Sequence, residues 1–130
     1  MKRWTARLQQ YRKAMQQLRP AINKPDYSDL ERAGLIQIFE YTFELGWKLM
    51  QDYNREVGYE VRSPRESIQQ AVLSELINEH DGYGWLDALK DRNLFAHTYD
   101  EQKSVEAEAL IKQRYYPLME QLSTRFESLS

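Results

Sequence analysis

The stretch LIQIFEYTFELGWKLMQDY, positions 35–53, decides the fold class. Its apolar residues recur at steps of three and four, which is the spacing of an α-helix, and they occupy more than one face. Other helices must therefore cover most of this segment. Residues 26–29 supply N-cap candidates. Because no proline or turn pair interrupts the chain from there to about Glu56, we expect this part to be the long central helix of a bundle.

Two further helices are expected around the central one. Residues 4–18 have the apolar seam of an amphipathic helix, and Pro20 and Pro25 are expected to end it. The sequence Ser63-Pro64-Arg65-Glu66 is the pattern of a capping box with proline at the first helical position. It predicts another helix that runs on through Ile77.

The second half of the chain is expected to add two more helices. The segment Asp81-Gly82-Tyr83-Gly84 is expected to break the chain before a fourth helix, which ends near Ala96. A fifth is expected over residues 105–129, where Pro117 is able to kink it. Since no alternating strand pattern is present, the sequence predicts an all-α, antiparallel up-and-down bundle of four or five helices. We expect it to form one domain over residues 1–130.

The charge balance limits how the chain can bind nucleic acid. Its 20 acidic residues slightly outnumber its 18 basic ones, which gives a net charge of -2. Such a chain has no general field that attracts polyanions. Any contact with RNA or a nucleotide is therefore expected to be confined to a local cleft.

Several classes of site and location are disfavoured by composition. The chain has no cysteine and two histidines, His80 and His97, so we expect no disulfide, no zinc site and no cofactor. The basic residues near the start are not followed by an apolar run. No stretch approaches the roughly 18 apolar residues of a membrane span, so we expect a cytoplasmic protein without a membrane partner.

Three side chains suited to phosphodiester chemistry lie within six residues: Arg92, Asn93 and His97. A guanidinium matches phosphate oxygens, and an imidazole exchanges protons near neutral pH. On a continuous helix, however, Arg92 and His97 would be about 140° apart. They can converge if the helix ends before His97, if the arginine side chain wraps around, or if a second subunit completes the cleft; we favour the last two together. The alternative is structural: Arg92 and Asp91 are solvated helix-end charges, and Asn93 is a cap.

A second group of charged residues lies on the central helix. Glu40, Glu44 and Lys48 follow one another at four-residue spacing, which aligns two carboxylates and a lysine. A metal or acid–base role is conceivable, but a salt-bridged strip is the commoner result of this pattern. We assign these three residues to the support of a cleft. The neighbouring aromatic residues Phe39 and Phe43 are expected to be core rather than base-stacking platforms.

The sequence resembles the nucleotidyltransferase substrate-binding family, which is part of the HEPN superfamily. The resemblance rests on residues 32–48, on Ser63-Pro64-Arg65-Glu66, on Asp87, and on residues 91–94 followed by His97-Thr98-Tyr99-Asp100. It implies a HEPN-like helical bundle that is usually dimeric and is encoded beside a minimal nucleotidyltransferase, with which it forms a complex. The pair is interpreted as a toxin–antitoxin system.

The resemblance also implies roles for individual residues. In the pattern Arg-x4-His-x-Tyr, Arg92 and His97 are matched to metal-independent RNA cleavage, with Asn93 assisting. Tyr99 is matched to the position where the partner enzyme attaches AMP to silence the toxin. Two functions are therefore considered. The first is a metal-independent endoribonuclease toxin, and the second is a noncatalytic subunit that binds a nucleotide or substrate for the nucleotidyltransferase.

Overall fold

Every regular element in the described part of the chain is helical. The computed structural model describes residues 2–96 and 99–129, apart from the side chains of Asn93 and Leu94. The all-α fold expected from the sequence is confirmed. The elements are α1 (Trp4–Ile22), α2 (Asp29–Glu56), α3 (Pro64–Leu73), α4 (Glu79–Phe95), α5 (Glu101–Leu110), a π-helical segment (Ile111–Tyr115) and α6 (Tyr116–Leu129).

The long helices run up and down, as contacts between them show. Helix α1 is antiparallel to α2, because its start at Arg7 pairs with Asp52 near the end of α2. It is also antiparallel to α6, because Trp4 packs on Phe126 while the Tyr11 hydroxyl donates a hydrogen bond to the Met119 carbonyl. Helix α4 is antiparallel to α2, because Trp85 packs on Phe43 and the later Phe95 packs on the earlier Phe39. The short helix α3 packs against both α2 and α4.

The central helix α2 begins and ends as its sequence predicts. Ser28 is the N-cap, and its hydroxyl accepts a hydrogen bond from the Glu31 amide while the Glu31 carboxylate accepts one from the Ser28 amide. This reciprocal capping box fixes the first turn. Beyond the helix, Gly58 adopts a φ of 103°, a conformation that suits glycine at a helix end.

The expectation that Pro20 ends α1 is wrong. The helix continues through Pro20 to Ile22, which is buried. Pro20 lies in the last turn on the exposed side, so water can satisfy the carbonyl that its missing N–H leaves free. The Tyr27 hydroxyl donates to the final carbonyls, at Ala21 and Ile22, and so completes the helix end.

The third helix is shorter than expected. Ser63 caps it, with its hydroxyl accepting from the Glu66 amide, and Pro64 takes the first position. The helix ends at Leu73 rather than running through Ile77. Glu75 has a φ of 62°, so the chain turns there, and Ile77 enters the core from the turn.

The expectation that Asp81-Gly82-Tyr83-Gly84 breaks the chain is also wrong, because α4 runs through this segment. Both glycines lie at close helix contacts. A Cβ at Gly82 would come within 2.4 Å of Val72, and one at Gly84 within 2.6 Å of Leu118. The glycines therefore serve packing between helices, which outweighs their low helix propensity.

The last helical stretch begins earlier than expected and is not uniform. Helix α5 begins at Glu101, where the Asp100 side chain accepts a hydrogen bond from the Lys103 amide. Before Pro117 the chain widens into the π-helical segment, in which the Tyr116 amide bonds to the Ile111 carbonyl. A wider turn accommodates the missing N–H of a proline. No helix in residues 2–96 and 99–129 has the length and apolarity to cross a membrane.

Candidate functional site

A cleft of about 320 Å³ lies between the central helix α2 and the C-terminal half of α4. It joins the two regions that the sequence singles out, although they are far apart along the chain. Its floor is aromatic and its polar groups come from both helices. The described residues that line it are Phe39, Glu40, Phe43, Glu44, Arg92 and Phe95.

Arg92 and Glu44 form an ion pair in this cleft, with 3.1 Å between Arg92 Nη1 and Glu44 Oε1. The other carboxylate oxygen of Glu44 accepts a hydrogen bond of 3.1 Å from Trp47 Nε1 and lies 4.0 Å from Lys48 Nζ. Glu44 therefore orients three side chains. The two members of the Arg92 pair remain 46% and 42% exposed, so a ligand can reach the guanidinium.

Glu40 lies one turn before Glu44 and has a different environment. Its side chain is half-buried, and burial raises the pKa of its carboxyl group. None of the hydrogen bonds and ion pairs between described side chains involves this carboxyl group. The strip Glu40, Glu44 and Lys48 is thus only partly salt-bridged, because the bridge involves Glu44 and Lys48 and leaves Glu40 out.

The aromatic residues beneath the cleft belong to the core. Phe39 and Phe95 are each 1% exposed and meet edge to face, with their ring centroids 5.0 Å apart. Phe43 is 2% exposed and stacks on Trp85. The expectation that Phe39 and Phe43 are core is therefore confirmed. They give a ligand an apolar floor rather than an open ring face.

Two contacts, made one and five residues before the cleft arginine, hold α4 against the π-helical segment. The Tyr115 hydroxyl donates a hydrogen bond of 2.5 Å to Asp91, and Arg114 forms an ion pair of 2.6 Å with Asp87. Burial first, and then the Asp91 carboxylate, raise the pKa of Tyr115. Asp91 is therefore not a simple solvated helix-end charge, contrary to the structural alternative considered for it.

The other predicted catalytic residues lie at the limit of what the structure describes. Asn93 belongs to α4, but its side chain is outside the described part, and His97 is outside the described residues altogether. Helix α4 ends at Phe95. The angular separation of Arg92 and His97 on a continuous helix therefore does not apply, because the helix stops before His97.

Tyr99 lies outside the lining of the Arg92 cleft. Its side chain is 83% exposed and borders a separate small cleft of about 260 Å³, together with Asp29, Arg32, Glu101 and Ser104. Tyr99 stands immediately before Asp100, the N-cap of α5. Within the described ranges, no cluster of three or more His, Asp or Glu side chains is arranged to hold a metal ion.

Comparison with known proteins identifies the family. The family model described as nucleotidyltransferase substrate binding protein like matches residues 6–128. The chain belongs to this family. A crystal structure of a protein from Thermus thermophilus is similar, with 37% identity and a TM-score of 0.79 over 88% of this chain and 97% of that one. A comparison with curated proteins gave no match.

In this member of the nucleotidyltransferase substrate-binding family, sequence reasoning missed the residues that brace the arginine. The contacts of Asp91 with Tyr115 and of Asp87 with Arg114 were not anticipated, although Asp87 and Asp91 are spaced one helical turn apart. That spacing is a signal that both carboxylates face one neighbour. Phe95 was likewise not identified as part of the cleft floor.

Proposed function

We propose that the chain is the partner subunit of a minimal nucleotidyltransferase encoded nearby and that it acts as a metal-independent endoribonuclease toxin. The observation that carries this proposal is the position of Arg92. Its guanidinium lines an open cleft in the last turn of α4, five residues before His97 in the sequence. The family name supports the partner, and the resemblance to HEPN proteins supports the chemistry.

RNA itself supplies the nucleophile for such a reaction. The 2′-oxygen attacks the neighbouring phosphorus atom, the bond to the 5′-oxygen breaks, and a 2′,3′-cyclic phosphate and a 5′-hydroxyl are formed. In this proposal His97 either removes the 2′ proton or delivers a proton to the leaving 5′-oxygen, and water makes the other proton transfer. Arg92 stabilises the charge on the phosphate and Asn93 assists.

Arg92 must leave Glu44 to take up this role. The pair is nearly half exposed on both sides, and an exposed ion pair contributes about 1 kcal/mol or less. A phosphate can form bidentate hydrogen bonds with the guanidinium and so compete with the Glu44 carboxylate. The ion pair is thus compatible with a resting state that RNA opens.

The test is cleavage of total tRNA in EDTA by the purified chain without its partner, followed on a denaturing gel. His80 provides a matched control, because it is the other histidine of the chain and is exposed on α4. We expect the parent protein and His80→Ala to cleave and His97→Ala to be inactive. Cleavage by folded His97→Ala would contradict the proposed role.

A second function, a noncatalytic subunit that binds a nucleotide or substrate for the nucleotidyltransferase, is favoured by the charges of the cleft. Glu40 and Glu44 both line it, and Glu44 neutralises Arg92. Such a cleft is poorly suited to concentrating the charge of a reacting phosphate. Nucleotide binding without RNA degradation by the purified chain would support this function over the first.

We also propose that Tyr99 is the site of regulation. Its phenolic oxygen would attack the α-phosphorus of ATP, release pyrophosphate and become linked to AMP in a reaction catalysed by the nucleotidyltransferase. The 83% exposure of Tyr99 supports this role, because an enzyme can reach the side chain. Incubation with partner and ATP should add one adenylyl mass to the chain and to Tyr83→Phe, but not to Tyr99→Phe. Loss of the modification in Tyr83→Phe alone would contradict it.

A homodimer in which a second subunit completes the cleft is the remaining part of the proposal. Support comes from α2, where Tyr41, next to Glu40, is 57% exposed and Leu30 is 84% exposed. Exposed apolar residues of this kind are common at interfaces. Light scattering on the purified chain should give twice the chain mass, and Tyr41→Glu should reduce it to that of a monomer. A monomeric parent protein would contradict the dimer.

A further inference from the structure

Among the described residues that line the α2–α4 cleft, Glu40 is the one polar residue without a partner. Three of the described lining residues are polar, and two of them, Glu44 and Arg92, are paired with each other. The Glu40 carboxyl group faces the same cleft without a hydrogen bond or ion pair to the described residues. It is therefore available to a ligand.

Partial burial disfavours the ionised form of this carboxyl group in the free protein. Removing it from water without a compensating hydrogen bond costs free energy, and α2 offers exposed positions where a glutamate would carry no such cost. Partly buried charged groups without a partner, in a cleft with other charged groups, are typical of binding sites. The ligand would then supply the missing hydrogen bonds.

The chemistry of the two available groups restricts the ligand. An ionised carboxylate only accepts hydrogen bonds, and its two oxygens can accept from two adjacent N–H groups at once. The guanidinium of Arg92, once released from Glu44, binds a phosphate. The cleft therefore fits a molecule with paired N–H donors at one end and a phosphate at the other.

Guanine is the standard nucleobase with that pair of donors. Its Watson–Crick edge presents N1–H and the 2-amino group side by side, whereas adenine and cytosine present one amino group beside an acceptor, and uracil presents a single N–H. The cleft, at about 320 Å³, lies at the small end of ligand sites and suits one base above an apolar floor.

We propose that the α2–α4 cleft binds a guanine base, from a free nucleotide or from single-stranded RNA, with Glu40 accepting hydrogen bonds from N1–H and the 2-amino group and Arg92 binding the adjacent phosphate. The proposal deepens the proposed function, since it concerns the same cleft. It holds whether or not the bound RNA is then cleaved.

The first test is titration of the ¹⁵N-labelled full chain with nucleoside monophosphates, followed by amide chemical shifts. Inosine monophosphate differs from guanosine monophosphate only by the missing 2-amino group, so it isolates one of the two hydrogen bonds. We expect guanosine monophosphate to bind about tenfold more tightly than inosine monophosphate, with adenosine monophosphate weaker still, since a hydrogen bond to a charged group is worth about 1.5–3 kcal/mol.

Variants assign the preference to Glu40. Glu40→Gln replaces one acceptor oxygen by a donor, and Glu40→Asp keeps the charge but withdraws it by one methylene, so both should lose the preference for guanosine over inosine monophosphate. Glu106→Gln is the matched control, because it removes the same charge from an exposed position on α5 outside the cleft lining. Circular dichroism confirms that each variant is folded.

A second measurement separates the two sources of the base. Oligoadenylate containing a single guanosine is compared with the same strand containing inosine, by fluorescence anisotropy with the His97→Ala chain, which prevents cleavage. A guanosine preference in RNA alone identifies an RNA site, and a preference in both arms extends it to free nucleotides. The proposal is overturned if neither arm prefers guanosine, if adenosine binds as well, or if Glu40→Gln keeps the preference. His97-dependent RNA cleavage would still be observed in that case. The experiments therefore distinguish failure of guanine binding from failure of the proposed ribonuclease function.

Discussion

The Tyr115 hydroxyl donates a 2.5 Å hydrogen bond to Asp91, the residue immediately before Arg92. This contact joins the π-helical segment to the last turn of α4. It fixes the backbone that carries the cleft arginine, although neither partner lines the cleft. The ring of Tyr115 is buried against Phe39 and Phe95, so the hydroxyl is the one part of it with a polar role.

Replacement of that hydroxyl should reduce stability. Tyr115→Phe keeps the buried ring and leaves Asp91 without its donor, so we expect the free energy of unfolding to fall by about 1–3 kcal/mol, measured by urea denaturation. Tyr83→Phe is the control, because its hydroxyl bonds to Glu79 at an exposed site and should change stability by about 0.5 kcal/mol or less. Equal effects of the two variants would show that the Asp91 contact has no special weight.

Release of Arg92 from Glu44 should strengthen the binding of phosphate without a large change in stability. Glu44→Gln retains an acceptor for Trp47 Nε1 but removes the charge that holds the guanidinium. We expect a change of less than about 1 kcal/mol in the free energy of unfolding and tighter binding of single-stranded RNA at low salt, measured by anisotropy. Weaker binding than that of the parent protein would mean that Glu44 positions Arg92 for the ligand rather than withholding it.

The pH dependence of stability should report the burial of Glu40. Burial raises the pKa of Glu40 above its ordinary value of 4.5 in the folded state. Between the pKa of the unfolded state and that of the folded state, Glu40 holds its proton more often in the folded chain, so stability declines as pH rises through this window. Glu40→Gln removes this loss. We expect its melting temperature to exceed that of the parent protein at pH 7, and the difference to disappear toward pH 4. Calorimetry at both pH values measures this effect, and a variant that melts lower at pH 7 would contradict it.

Two glycines of α2 should respond oppositely to the same substitution. A Cβ at Gly46 would lie 2.6 Å from the buried ring of Trp85, whereas nothing lies within 4 Å of a Cβ at Gly34. Gly46→Ala should therefore destabilise the chain by about 1–3 kcal/mol, and Gly34→Ala should stabilise it by about 0.5–1 kcal/mol through helix propensity. Urea denaturation of both variants tests this pair, and a stable Gly46→Ala chain would mean that Trp85 moves aside without cost.

The sequence was a good guide to which segments are helical and a weaker guide to where they end. Helix α2 follows from its own residues, because the apolar spacing and the Ser28 cap are local features. Pro20, Gly82 and Gly84 misled the prediction because their local preferences are outweighed by packing and by exposure to water. Val72 and Leu118 lie against the glycines from other helices, and no local pattern reveals such neighbours.

The site shows the same division. Arg92 and Glu44 were each singled out from the sequence, but their ion pair joins positions that are 48 residues apart. Which face of α2 meets α4 depends on the whole bundle, so spacing along the chain could not predict the pair. The unpartnered state of Glu40 was equally beyond reach, because a one-turn row of charges looks the same whether or not it is fully bridged.

The number of residues in the π-helical segment sets the rotation of α6 relative to α5. In an α-helix each added or removed residue rotates the rest of the helix by about 100°. The segment therefore changes which side chains of α6 face the core relative to those of α5. Deletion of one residue there would leave the apolar composition intact, yet it would turn Tyr115 away from Asp91 or Phe126 away from Trp4. The Tyr115–Asp91 contact beside Arg92 therefore depends on the number of residues in the π-helical segment as much as on their identity.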